Sequence, residues 1–256
     1  MYLQNELIIL QKRLYLEKIC SHPLDESQLY AIYRYMGMID PGSELMARLS
    51  DIEINYEQII HEASDLILSL KDTITSCESV IKTLIDSSDI KKVTDNLSFS
   101  VSISDISAIH RSYCQTVEKI IYDTKIISNI NEILAEIYAQ AKACSASFLE
   151  IFHETKLAAY AAALNKDKDG IMSCKAMALQ SLDSSKESSR TAVLCLKNTN
   201  LATNAINAVN VLLSESDTYF NISPNYQQFN AYAFTNNLIK ILDSLKSINT
   251  LINIPE

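Results

Sequence analysis

Several groups of side chains in this sequence have the residue types, and part of the spacing, that chemistry requires. Asn165, Asp167, Asp169 and Gly170 match the first half of an EF-hand loop, where oxygen ligands stand at positions one, three and five and glycine at six. Met172 supplies the apolar eighth position, but the twelfth needs a bidentate glutamate and is Ala176. The segment therefore reads as a polar helix-to-helix turn, with Gly170 expected in the left-handed conformation. Glu150 and His153 form one Glu-x-x-His element, which a di-iron bundle needs twice, and His22, His61 and His110 lack a glutamate three residues before them. The run His61-Glu62-Ala63-Ser64-Asp65 opens like a zinc-protease helix, yet Asp65 stands where the second histidine must be, and a third ligand is not evident.

Nucleophile and phosphate motifs fare no better. Gly37, Gly42 and Gly170 are the only glycines, too few and too scattered for Gly-x-Ser-x-Gly or a phosphate-cradling loop. Acidic pairs such as Asp86/Asp89 and Glu215/Asp217 read as solvated helix ends. The six cysteines, at positions 20, 77, 114, 144, 174 and 195, include no Cys-x-x-Cys pair and read as small buried hydrophobes in a reducing compartment. The expectation is a non-enzymatic protein with no catalytic, cofactor or metal site.

The elements that carry these residues follow from composition. Among 256 residues there are three glycines and four prolines, too few turn-formers for a sandwich, a barrel or repeated βαβ units, so the chain should be built of few, long helices. Lys+Arg 22 against Asp+Glu 31 leaves a net charge of −9 and no long basic run, which argues against a nucleic-acid partner. No stretch approaches the ~20 apolar residues of a membrane span. The start lacks the positive region of a secretory leader, so the expected location is cytoplasmic when made, with export by a non-Sec route left open.

Along the chain, short helices are expected over Tyr2–Cys20 and from an Asp25 N-cap to Met38, separated by His22-Pro23 and closed by Pro41-Gly42. Residues 1–42 form a cap of short helices, whose tyrosines 2, 15, 30, 33 and 35 read as a packing face, and residues 43–256 form the bundle. A helix from Ser43 to about Asp86 carries Leu45, Leu49, Ile52, Tyr56, Ile59, Ala63, Leu66 and Leu70 at alternating four-three spacing, a coiled-coil seam. A second four-residue step to Ile74 then gives an eleven-residue interlude. From an Asp105 N-cap a helix of roughly 60 residues, about 90 Å long, runs to Leu164. A third runs from about Ile171 to Asp217, with a face of small residues (Ser181, Ser184, Ser185, Ser188, Ser189, Ala192) suited to close packing, and a solvated stripe of Asn200, Asn204 and Asn207. A last helix carries Phe234, Leu238, Ile241, Leu245, Ile248 and Ile252.

Two passages break this pattern. Leu97, Phe99, Val101 and Ile103 alternate with serines, the period of an extended strand, so one isolated β-like segment is expected near 97–103. Between Tyr219 and Phe234 the chain turns at Ser223-Pro224 and gathers Tyr219, Phe220, Tyr226 and Phe229 among amides. The fold expected is all-α: an elongated antiparallel bundle of coiled-coil-like helices with an N-terminal helical cap. These eight residues, Leu97, Phe99, Val101, Ile103, Tyr219, Phe220, Tyr226 and Phe229, are the candidate interaction residues.

The first functional expectation is a structural or interaction protein that assembles with itself or with a protein partner through its seams. The alternative rests on outline: long antiparallel helices interrupted by one amphipathic strand are similar to the α-helical pore-forming toxins, which carry a tongue between long helices. That resemblance implies membrane insertion, here only after conformational change. The segment 96–104 departs from those apolar tongues by alternating with serine, and no diagnostic motif accompanies it.

Overall fold

The structure is a computed structural model describing residues 18, 24–38, 40–88, 90–91, 103–214, 220–223, 226–229 and 231–254. The described residues form a helical bundle with one short hairpin. Helix α1 (Glu26–Met36) starts at Asp25 through a capping box: the Gln28 backbone N–H donates to the Asp25 carboxylate at 2.8 Å, and the Asp25 N–H donates back to the Gln28 side chain at 3.1 Å. It buries Leu29, Ile32 and Tyr35. The helix expected over Tyr2–Cys20 lies outside the described residues except for Lys18, which is helical.

Helix α2 (Pro41–Ile85) begins earlier than Ser43, because Pro41 and Gly42 form its first turn rather than a turn before it. Proline has the helical φ already and no N–H to leave unpaired, and the Asp40 carboxylate accepts the Ser43 N–H at 3.1 Å. Its buried line runs Leu45, Leu49, Tyr56, Ile59, Ala63, Ile67, Leu70, Ile74, Cys77, Ile81 and Leu84. Ile67 is buried where Leu66 was expected, so the doubled four-residue step falls at Ile59-Ala63-Ile67, a turn or two ahead of its expected place.

Helix α3 (Ile103–Leu164) and helix α4 (Lys168–Ser214) are joined by three residues. The Asp167 N–H donates to the Ala162 carbonyl at 2.9 Å and the Lys166 N–H to that of Ala163 at 3.2 Å, the paired bonds of a Schellman motif. The left-handed residue of that motif is Lys166, at φ 58°; Gly170, expected to hold that role, lies in the first turn of α4. The connection needs its left-handed residue directly after the last turn of α3, and Asp167 follows as the cap of α4, accepting the Gly170 N–H at 3.0 Å.

The β structure among the described residues is strands β1 (Phe220–Ser223) and β2 (Tyr226–Phe229), antiparallel with Phe220 opposite Phe229 and Ser223 opposite Tyr226. Helix α5 (Ala231–Leu251) follows. The strand expected at 97–103 is outside the described residues up to 102, and Ile103, its last member, is helical. The 3.6-residue period of Ile106, Ile109 and Tyr113 extends back a turn, and Asp105 sits within that first turn, where its charge favours the helix start, rather than capping it.

By their contacts the residues divide into two compact units, a division that cuts across the long helices. The first holds the described residues up to Ile59 together with Ala139–Ala192. Within it, Ser145 and Ser185 exchange hydroxyl-to-carbonyl bonds, each 2.9 Å, and the Ser188 hydroxyl donates to the Ala141 carbonyl at 2.7 Å. Side chains this short reach a neighbour's backbone only where α3 and α4 approach closely, and the pairs 145/185 and 141/188 run in opposite directions, so these segments are antiparallel. The Tyr56 and Thr191 hydroxyls bond at 2.9 Å, tying α2 to α4, and Tyr56 meets Phe148 edge to face at 5.9 Å.

The second unit holds residues 60–138 and 193–256. The α3 and α4 segments are antiparallel here too, linked by Asn131 to Thr203 at 3.4 Å and by the Tyr113 hydroxyl to the Leu212 carbonyl at 2.9 Å. Asn249 of α5 donates to Glu78 of α2 at 2.9 Å, and the Asn198 amide donates to the Asn253 carbonyl at 3.2 Å. The core consists largely of aliphatic side chains from α2, α3 and α5, among them Ile74, Ile81, Ile120, Ile127, Leu238 and Leu245.

Candidate interaction site

Of the eight expected interaction residues, Leu97, Phe99, Val101 and Tyr219 lie outside the described residues. Tyr226 and Phe229 are placed by backbone pairing in β2, and Ile103 opens α3. Phe220 is buried. Its ring lies 4.9 Å from His110 edge to face, 5.3 Å from Tyr113 and 5.5 Å from Phe234, and Tyr113 meets Phe234 at 5.5 Å. Each such ring pair contributes about 0.5–1.5 kcal/mol beyond its buried area. Phe220 is therefore an anchor: it pins the base of the hairpin to the start of α3 and the start of α5, within the second unit. The aromatic concentration after Tyr219 was visible in the sequence, whereas its partners on α3, a hundred residues earlier, carried no local signal.

In the first unit a charged clasp was not anticipated. The Glu154 carboxylate accepts the Tyr35 hydroxyl at 3.0 Å and pairs with the Arg48 guanidinium, which also lies 3.9 Å from Glu150. Burial and the adjacent Glu154 charge push the Tyr35 hydroxyl above the usual phenol range. One cation and two carboxylates at four-residue spacing thus hold α1, α2 and α3 together. The signal available was Glu150 and Glu154 on one face of a helix.

The remains of the EF-hand pattern take up structural work. A cavity of about 360 Å³ in the first unit is lined by Asp40, Gly42, Ala161, Asp167, Asp169 and Cys174, among others. Asp40 and Asp167 spend carboxylate oxygens on helix-start N–H groups. Among the described residues no three His, Cys, Asp or Glu side chains are grouped to hold a metal ion. The Glu-x-x-His pair is likewise split: Glu150 faces Arg48, while His153 meets Phe152 edge to face at 5.2 Å.

Burial shifts the thiols away from reactivity. Burial and the Asp123 charge push Cys77 up to about 12, burial pushes Cys195 up to about 11, and Cys144 and Cys174 are raised by the same cause. Groups so shifted remain protonated at neutral pH and make poor nucleophiles or ligands. Cys114 is exposed, with its sulfur 3.7 Å from a His110 ring nitrogen. The arrangement as a whole supplies packing faces, anchors and caps. No protein-family model matches the chain, and comparisons with curated proteins and with solved structures found no match.

Proposed function

We propose that this chain is a non-enzymatic structural or interaction protein that assembles with itself or with protein partners through faces of its long helices, in the manner of coiled-coil seams. The observation that carries the reading is apolar surface left over once the inner seam is complete. On α4 in the first unit, Met172 is 71% exposed, and Leu179, seven residues on and so on the same side of the helix, is also exposed. In the second unit Val193 is 62% exposed, with Leu196 exposed one turn later. All four lie on a helix whose own buried line, Cys174 to Leu212, is already filled. Scattered single exposures are ordinary, but repeated ones at heptad or one-turn spacing are what an assembling helix presents.

Light scattering on the purified protein tests this directly. A mass above 28.7 kDa is expected, falling toward that value when Leu179→Glu and Val193→Glu are combined. A strict monomer at high concentration, with no cross-linked species, overturns self-assembly and leaves a protein partner as the remaining form of the reading. The second reading, a pore-forming-toxin-like protein that enters membranes after rearrangement, is favoured by one feature: a β-hairpin set between long helices, the kind of element that can refold into lipid. No described helix is long and apolar enough to cross a membrane as it stands, so rearrangement is part of this reading. Release of a dye from anionic or neutral liposomes between neutral and mildly acidic pH would support it, and absence of any binding across that range would remove it.

A further inference from the structure

Besides its exposed apolar residues, the outer side of α4 carries a run of four exposed charges, Asp183, Lys186, Glu187 and Arg190. At 3.6 residues per turn they lie on the side of the helix away from Ser181, Ser185 and Ser188, which are buried. Within one chain they pair with each other: Lys186 Nζ stands 2.9 Å from Asp183, and the Arg190 guanidinium pairs with Glu187. Ion pairs one turn apart on open surface contribute little, so each of these charges can change partner at small loss.

The order of the signs carries direction. From Asp183 to Arg190 it runs minus, plus, minus, plus, and in the reverse sense plus, minus, plus, minus. A two-fold axis sets a helix against its own copy in the reverse sense, so this run is complementary to itself when antiparallel, whereas an in-register parallel copy sets like against like. The axis falls between Lys186 and Glu187. Asp183 and Arg190 each stand three and a half residues from it, so the Asp183 of each copy comes level with the Arg190 of the other, and Lys186 comes level with Glu187. The apolar residues follow the same arithmetic. Leu179 lies seven and a half residues before the axis and Val193 six and a half after it, both exposed, so one copy's Leu179 meets the other's Val193 to within about 1.5 Å along the helix.

We propose that a second copy of this chain docks here, α4 against α4 in an antiparallel two-fold pair, with Asp183 of each copy paired to Arg190 of the other and Leu179 against Val193 at both ends of the charged run. This rests on the assembly reading above and adds to it the identity of the partner, its direction and its register.

Charge reversal in the full chain tests it, with mass followed by light scattering at low salt. The wild type is expected to be a dimer that weakens as salt is added. Asp183→Arg alone and Arg190→Asp alone each set like charges together twice per dimer, and each should raise the dissociation constant about tenfold or more. Mixing the two single variants, or combining both changes in one chain, puts opposite charges back at every pair and should recover the dimer. All four positions are exposed, so the variants should unfold at the wild-type midpoint. An amine-reactive cross-linker should join Lys186 to Lys186 across the axis, a product that a single chain cannot give. Single variants that dissociate and are not restored by mixing overturn the pairing. A dimer that both single variants leave intact, and that Leu179→Glu dissolves, overturns the register while assembly through α4 stands. A wild type that is monomeric at every concentration overturns the second copy as the occupant, and leaves a different protein as the partner in the assembly reading.

Discussion

The two units use the same helices in different ways. In the first, the buried face of α4 is small and hydroxylated: Ser181, Ser185, Ser188 and Thr191 are buried, and Thr155 joins them from α3. In the second, the buried polar side chains among the described residues are Asp123 and Asn198, and the space is filled by aliphatic residues and the Tyr113, Phe220 and Phe234 rings. The α3–α4 seam of the first unit gains its stability from close backbone approach, with little side-chain volume to lose, although Ile32, Leu45, Leu49 and Phe148 fill the core beside it. The second unit gains its stability from apolar bulk. That seam should therefore resist truncation and fail on enlargement, and the core of the second unit should do the opposite.

The largest expected effect tests the second half of that contrast. Phe234 is fully buried against Tyr113 and Phe220. Phe234→Ala should cost about 3–5 kcal/mol in chemical denaturation, by leaving a cavity that neighbouring helices cannot close. Enlargement comes next. Ser188 is fully buried, with its hydroxyl 2.7 Å from the Ala141 carbonyl. Ser188→Leu should cost about 1–3 kcal/mol, by forcing α3 and α4 apart. Ser188→Ala should cost only about 1 kcal/mol, since the Ala141 carbonyl keeps its bond within α3. Should the order of the two serine variants reverse, the seam would be held by its hydroxyls rather than by its fit.

Alkaline pH reads the burial of thiols in both units. Cys77 and Cys195, both in the second unit, keep their protons in the folded state up to about 12 and about 11. An unfolded thiol releases its proton near 9, so above that pH the unfolded chain holds fewer protons than the folded one. Stability contributed by these groups is full below about pH 9 and falls as pH rises to their folded values, by about 1.4 kcal/mol per pH unit for each fully shifted group. In the first unit burial raises Cys144 and Cys174 in the same direction, and Tyr35, also shifted upward, begins to act only above the ordinary phenol range near 10. Denaturation followed from pH 8 upward should show this decline, and Cys195→Ala should flatten it between about 9 and 11. An unchanged slope in that variant would mean the thiol is not protected by burial.

The same contrast explains what could be read from the chain. The helices, the Asp25 cap, the small face of α4 and most of the α2 and α3 lines were legible because they depend on a local period, and burial of Ser181, Ser185 and Ser188 followed from their size. In the sequence the helical period that joins Ile120 to Ile127 picks Thr124 rather than Asp123 for the α3 line, since apolar pattern does not nominate a carboxylate for a core. The structure places Asp123 in the line and leaves Thr124 half-buried. The hairpin was missed because its strands are four residues each, too short for a two-residue period to emerge, although Ser223-Pro224 marked the turn. The Arg48–Glu154–Tyr35 clasp joins residues more than a hundred positions apart, and nothing local encodes that meeting.

The smallest effect concerns the connection that lets α3 and α4 approach in the first unit. Lys166 occupies the left-handed position at φ 58°, where a Cβ is unfavourable and glycine carries no such penalty. Lys166→Gly should raise stability by about 0.5–1 kcal/mol, less a few tenths for the greater freedom of glycine in the unfolded chain. Gly170 is the reverse case: a Cβ there would stand 2.2 Å from the Asp167 carboxylate oxygen, and Asp167 is the cap of α4. Gly170→Ala must displace that carboxylate and should cost about 1 kcal/mol, the usual loss for a helix cap. Opposite signs at two positions four residues apart, measured in the same denaturant series, would place the strain of the turn at Lys166 and its order at Asp167. Equal signs would mean that the close approach of α3 and α4 is set by the serine seam alone, with the turn following passively.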